Sequence, residues 1–148
     1  MVRDENNFDE VRDAFDSGLE TGLVELHSSV LKTLLRNMAR GKDALGNSWE
    51  PIKASTLQSR KVRTSSTAPL VDTGELRGDI AATSEVNTAE LYAVIGTTKK
   101  YGEVHELGAP EAGIPARPIF GPAARLAYQK APDTVGNEID VRLEGAEL

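Results

Sequence analysis

Three stretches of this 148-residue chain carry side chains able to do chemistry. Leu70-Val71-Asp72-Thr73-Gly74 sets a carboxylate between an apolar pair and a turn-forming glycine. Two carboxylates brought together share one proton and serve as acid and base, which is the chemistry such a placement would allow. His105-Glu106 sets an imidazole beside a carboxylate, as helical zinc sites do, yet the second histidine such a site needs four residues on is replaced by Ala109. His27 likewise lacks a second ligand one turn away, so neither a metal nor another cofactor is expected. The third stretch clusters Arg60, Lys61 and Arg63 ahead of the polar run TSSTAP. Phosphates bind such clusters, but no aromatic is interleaved and the chain is acidic overall, so a solvated or subunit-facing patch is the better reading.

The first stretch resembles the apolar-apolar-Asp-Thr-Gly signature of aspartic proteases, and Ala93-Val94-Ile95-Gly96 is similar to the segment that follows it in the small dimeric retroviral-type enzymes. Only 21 residues separate Gly74 from Gly96, too few for the strands and flap between them. Glu75 also stands three positions after Asp72, the spacing of a capping box. Asp72 therefore reads as the N-cap of a short helix from Glu75 to about Gly78. The expectation is a non-enzyme, with a dimeric protease using Asp72 as the alternative.

The elements that must position these residues follow from hydrophobic periodicity. Phe8, Val11, Phe15, Leu19, Leu23, Leu26, Val30, Leu34 and Met38 recur at a helical step, which predicts one helix over about residues 8–40. Asn7 and Glu10 form its start signal and Gly41 its left-handed stop. Such a helix is roughly 50 Å long at ~1.5 Å per residue, more than the rest of a small domain covers. Gly18 and Gly22, one turn apart within it, mark a kink, a close backbone approach or the point of departure from the domain. Gly46, Asn47, Ser48 and Pro51 place Trp49 on a loop, where a lone tryptophan folds back over a core edge. Ser55 and Gln58 predict a short helix over 56–62. Period-two residues Ile80, Ala82, Ser84 and Val86, then Leu91, Ala93 and Ile95, predict two antiparallel strands with the first helix against them. YGEVHELG reads as a helical turn closed by Gly108, and Pro115 and Pro118 force the following segment to be extended. Pro122 sits at the start of a last helix that Pro132 breaks or kinks. The fold class is α+β: a long N-terminal helix and a C-terminal helix packed on a small antiparallel sheet. One domain spans 1–148, divided into the long helix (1–41), a loop with a short helix (42–68), a sheet and motif core (69–120) and the C-terminal helical segment (121–148).

Charge is distributed unevenly. Residues 1–25 hold eight acids and two arginines, residues 26–63 eight basic residues and two acids, and residues 64–148 thirteen acids and seven basic residues. This pattern suits the dipole of a long helix, or a subunit whose acidic end meets a neighbour's basic region. Cysteine is absent, which excludes disulfides and thiolate chemistry. No apolar run approaches a membrane span and the N-terminus is not that of a secreted protein, so cytosolic synthesis and no membrane partner are expected.

In order along the chain, Gly46-x-x-Trp49-x-Pro51, LVDTGELR (70–77), VIGT (94–97), YGEVHELG (101–108) and IPARPIFG (114–121) together resemble the phage Mu-type virion morphogenesis proteins. These are similar to the neck and tail-completion proteins of long-tailed phages. The resemblance implies a structural virion protein of the head-tail connector, located in the virion and in the host cytoplasm during assembly. It implies a ring of subunits, six in preference to twelve, between portal-side adaptor or stopper proteins and tail tube proteins. Genomic DNA would pass through the lumen without specific binding, and no catalysis is implied. Within the motifs Trp49, Asp72, Gly74, Glu75, His105, Gly108, Pro115, Arg117 and Pro118 are the candidates for structural or interface roles.

Overall fold

The structure, a computed structural model, describes residues 7–60 and 66–146. Helix α1 runs Phe8–Met38 and helix α5 runs Phe120–Gly145, and the two pack antiparallel. Between them lie α2 (Ala54–Arg60), α3 (Glu75–Thr83), strands β1 (Glu85–Asn87) and β2 (Tyr92–Val94), α4 (Tyr101–Leu107) and a 3-10 turn over Pro110–Ala112. The fold is α+β, with the long N-terminal and C-terminal helices and a small two-stranded antiparallel sheet.

The core sits at the C-terminal end of α1. Val30, Leu34 and Met38 repeat at i, i+4 and face Leu76 and Ile80 of α3 together with Ala44, Trp49, Leu70, Ile119 and Ala123. Trp49 is 6% exposed and its indole N–H donates to the Pro118 carbonyl at 3.0 Å, so the loop tryptophan does cover a core edge. The loop before it closes on Asp43, which accepts from the Leu45 and Asn47 amides, each at 2.9 Å.

Away from this core, α1 is covered by α5, and the two glycines explain how. A Cβ on Gly18 would lie 2.6 Å from the Ile139 Cα, and one on Gly22 would lie 2.8 Å from the Val135 Cα. Neither distance is possible for real atoms, so the glycines mark a close backbone approach. Polar bonds flank the seam: Lys130 Nζ to Ser29 Oγ at 2.6 Å, and Arg142 to Ser17 Oγ at 2.9 Å and Thr21 Oγ1 at 2.8 Å. Together the N-terminal half of α1 and the C-terminal half of α5 form a two-helix arm. It carries Asp9, Glu10, Asp13, Asp16 and Glu20 from one helix and Asp133, Glu138, Asp140 and Glu144 from the other, against Arg12 and Arg142.

Several expectations are corrected. Helix α3 continues through Ile80 to Thr83, so the first strand begins at Glu85 and not near Ile80. The i, i+4 pair Leu76 and Ile80, both buried, outweighs the alternation that suggested a strand. Asp72 does not cap α3. That position belongs to Gly74, at φ +80°, which leaves Asp72 two residues before the cap. Glu75, expected to return a bond to Asp72, pairs instead with Lys99. Helix α1 ends at Met38 and the left-handed Gly41, at φ +71°, follows three residues later. Helix α2 begins at Ala54, ahead of the expected cap Ser55, and the expected residues 61 and 62 lie outside the described part of the chain. Pro132 does not break α5, which is continuous around it. Pro132 and Tyr128 are both exposed, so the carbonyl that loses its helical partner is open to water.

Candidate functional site

Three of the five motif stretches, LVDTGELR, YGEVHELG and IPARPIFG, converge on one cleft of about 640 Å³. Its walls come from α2, the segment 69–76, α4 and the loop 112–117. Of the candidates picked from the sequence, Asp72, Gly74, Glu75, His105, Pro115 and Arg117 line it. Trp49 and Pro118 support it from behind, joined by their hydrogen bond. Gly108, at φ +76°, closes α4; a Cβ there would sit 2.8 Å from the Ala116 amide nitrogen, so only glycine lets the 114–116 segment fold against the helix end.

Arg60, which the sequence placed in a surface patch, is part of the cleft wall. Its guanidinium donates to the Ala68 carbonyl at 2.6 Å and the Val71 carbonyl at 3.4 Å. These two residues bracket Leu70, whose φ of +62° is unusual for a branched side chain. Arg60 thus clamps the turn that delivers Asp72 and Gly74. Lys61 and Arg63, the other members of that patch, lie outside the described residues.

Arg117 is tethered in the same manner. Its Nε donates to the Glu50 carbonyl at 3.0 Å, a second guanidinium nitrogen reaches the Pro51 carbonyl at 3.4 Å, and its amide donates to the His105 carbonyl at 2.6 Å. Burial, and then the Arg60 charge, push the Arg117 guanidinium below its ordinary value, while Glu50 pulls the other way. Burial pushes His105 down as well, helped by Arg117 and Arg60, so its ring is held neutral over more of the pH range than a free imidazole. The His105 ring meets Tyr101 edge-on with centroids 6.2 Å apart, and its buried Nδ1 has no hydrogen-bond partner. Among the described residues Lys53, Arg60 and Arg117 form no ion pair. The cleft therefore presents three cations, against the two lining acids Asp72 and Glu75, above an apolar wall that includes Ile52, Leu70 and Ile114.

Two carboxylates that the sequence did not single out hold the cleft's neighbours. Glu106, read only as the acid next to His105, accepts the Ile119, Phe120 and Gly121 amides at 2.5, 2.9 and 2.8 Å. It caps α5 from another element, immediately before the N–H that Pro122 lacks. Asp79 accepts the Thr98 amide and hydroxyl, each at 2.7 Å, and the Thr97 hydroxyl, and these bonds hold its carboxyl below the usual range. A carboxylate three or more residues from a recognisable cap position carries no local signal of either role. Elsewhere, His27 shares a hydrogen bond with the Val94 carbonyl at 3.2 Å and so ties β2 to α1. Among the described residues no three acids or histidines are grouped as metal ligands, and no helix is long and apolar enough to cross a membrane.

No curated protein and no solved structure matches the chain. The family model of the phage virion morphogenesis family does match, over residues 6–136, which takes in α1, the first part of α5 and every segment lining the cleft. The chain belongs to the phage virion morphogenesis family.

Proposed function

We propose that this phage virion-assembly protein is a ring-forming component of the head-tail junction, acting as a neck, tail-completion or tail-terminator subunit. Family membership over residues 6–136 is the observation that carries this reading. The architecture supports it: a ring needs one face of each subunit to fit a different face of the next, and the acidic arm and the cleft, where three cations outnumber two acids, are two such unlike faces. Six copies are favoured over twelve, with portal-side adaptor or stopper proteins on one side and tail tube proteins on the other. DNA passes through the lumen without specific contact. The role is structural, and we assign no catalysis. In the protease alternative Asp72 would need a catalytic setting, whereas here Asp-Thr-Gly runs directly into α3.

Native mass, measured by light scattering in low and in high salt, tests the proposal. Six or twelve copies are expected. A strict dimer would overturn the ring and redirect attention to a proteolysis assay of Asp72→Asn, and a monomer under all conditions would mean that the protein does not form a ring by itself.

A further inference from the structure

The arm and the cleft lie at opposite ends of the subunit. Helix α1 has 31 residues, about 46 Å at ~1.5 Å per residue, with the arm tip at its start. The cleft is anchored near its finish, where Trp49 bonds the Gly41 carbonyl at 2.9 Å and Arg117 bonds the Glu50 carbonyl. A contact between these ends cannot close within one subunit. It has to be made between copies, head to tail.

The two ends are complementary in charge and in polarity. Over residues 8–22 and 133–145 the arm carries nine carboxylates against two arginines, both paired within the arm: Arg12 with Asp9 and Asp13, and Arg142 with Glu138. Phe8, in the first turn of α1, is 73% exposed. The cleft offers what this surface lacks: Lys53, Arg60 and Arg117, in no ion pair among the described residues and outnumbering the two lining acids Asp72 and Glu75, of which Glu75 pairs with Lys99, beside Ile52, Leu70 and Ile114. Nucleic acid would satisfy the cations but leave that apolar wall and Phe8 in water.

We infer that the cleft receives the arm tip of a neighbouring copy, with Phe8 seated on the apolar wall and the first-turn carboxylates of α1 facing Lys53, Arg60 and Arg117. The choice of a second copy as occupant rests on the oligomeric reading above. The contact itself rests on the charge and exposure of the two ends.

The chain has no cysteine, which makes cross-linking unambiguous. Phe8→Cys and Thr56→Cys, the latter an exposed position on the cleft rim, are prepared separately, mixed in the full-length protein and oxidised. The mixed adduct should exceed either homodimer severalfold, and should fade at about 0.5 M salt, where charges are screened beyond roughly 4 Å. Lys53→Glu in the Thr56→Cys partner should lower the yield, and Asp9→Lys with Asp13→Lys in the other partner should restore it. Predominant Phe8→Cys homodimer would overturn the inference in favour of arms pairing with arms. Loss of the adduct on adding duplex DNA at low salt would reassign the cleft to phosphate. No adduct from a protein whose native mass is still six or twelve copies would overturn the cleft contact and leave the ring intact. No adduct from a monomer would overturn both.

Discussion

Three backbone N–H groups at the start of α5 converge on the Glu106 carboxylate, and that carboxylate is reached from α4 and not from the helix it caps. Hydrogen bonds to a charged group contribute about 1.5–3 kcal/mol each where the alternative is an unsatisfied donor, but water replaces part of that at a half-buried site. Glu106→Ala should therefore destabilise the fold by about 2 kcal/mol and Glu106→Gln by roughly half as much, read from the midpoint of urea unfolding. His105 gives a prediction of a different kind. Its folded-state proton affinity is lowered by burial and by the Arg117 and Arg60 charges facing it, with Tyr101 as its ring neighbour. As pH falls through the ordinary imidazole range, the unfolded chain takes up the proton first, so stability is full above about pH 6.5 and declines below it. The melting temperature of the parent protein should drop more between pH 7 and 5.5 than that of His105→Gln. Equal slopes would show that the imidazole carries no such penalty. Of these residues the sequence marked His105 by type alone; Glu106 was invisible as a cap because its partners stand 13 to 15 positions away.

At the scale of elements, the α1–α5 seam depends on two absent side chains. Replacing Gly18 and Gly22 by alanine removes the helix-propensity penalty of about 1 kcal/mol per glycine, yet forces two backbones apart from separations no Cβ tolerates. Overpacking against backbone atoms costs about 1–3 kcal/mol at each position, occasionally more, so the double variant should lose stability on balance. Hydrogen exchange should report it locally, with amides of residues 133–145 opening faster and those of α3 unchanged. Uniform protection would place the strength of the arm elsewhere. The helical period of α1 was plain in the sequence because nine apolar positions repeat it. The boundary of α3 was not, because a segment holding Ile80, Ala82, Ser84 and Val86 satisfies a strand pattern until Leu76 is known to share Ile80's buried face. The hairpin is correspondingly shorter than its alternation suggested, three paired residues on each strand.

For the whole molecule, folding turns a sequence-wise charge pattern into two poles. The acids of residues 8–22 and those of residues 133–145 are far apart in sequence but share one arm, because α5 returns antiparallel along α1. Long-range attraction between such poles weakens with ionic strength, so self-association should be strongest at low salt and fall as the screening length shortens below about 10 Å. Sedimentation velocity across a salt series measures this, and assembly that strengthens with salt would point to an apolar contact instead.

What the sequence determined by itself was the class of fold, the long helix, the turns at glycine and proline, and the family, since each rests on periodicity or on short motifs whose physics is local. The tertiary structure decided which candidates meet. Asp72, Gly74, Glu75, His105, Pro115 and Arg117 share a cleft with Lys53 and Arg60. Gly18 and Gly22 are a helix contact, and Glu106 is a cap. Those assignments depend on partners from 13 to more than 100 residues away, whose approach is set by tertiary packing and not by any neighbour along the chain.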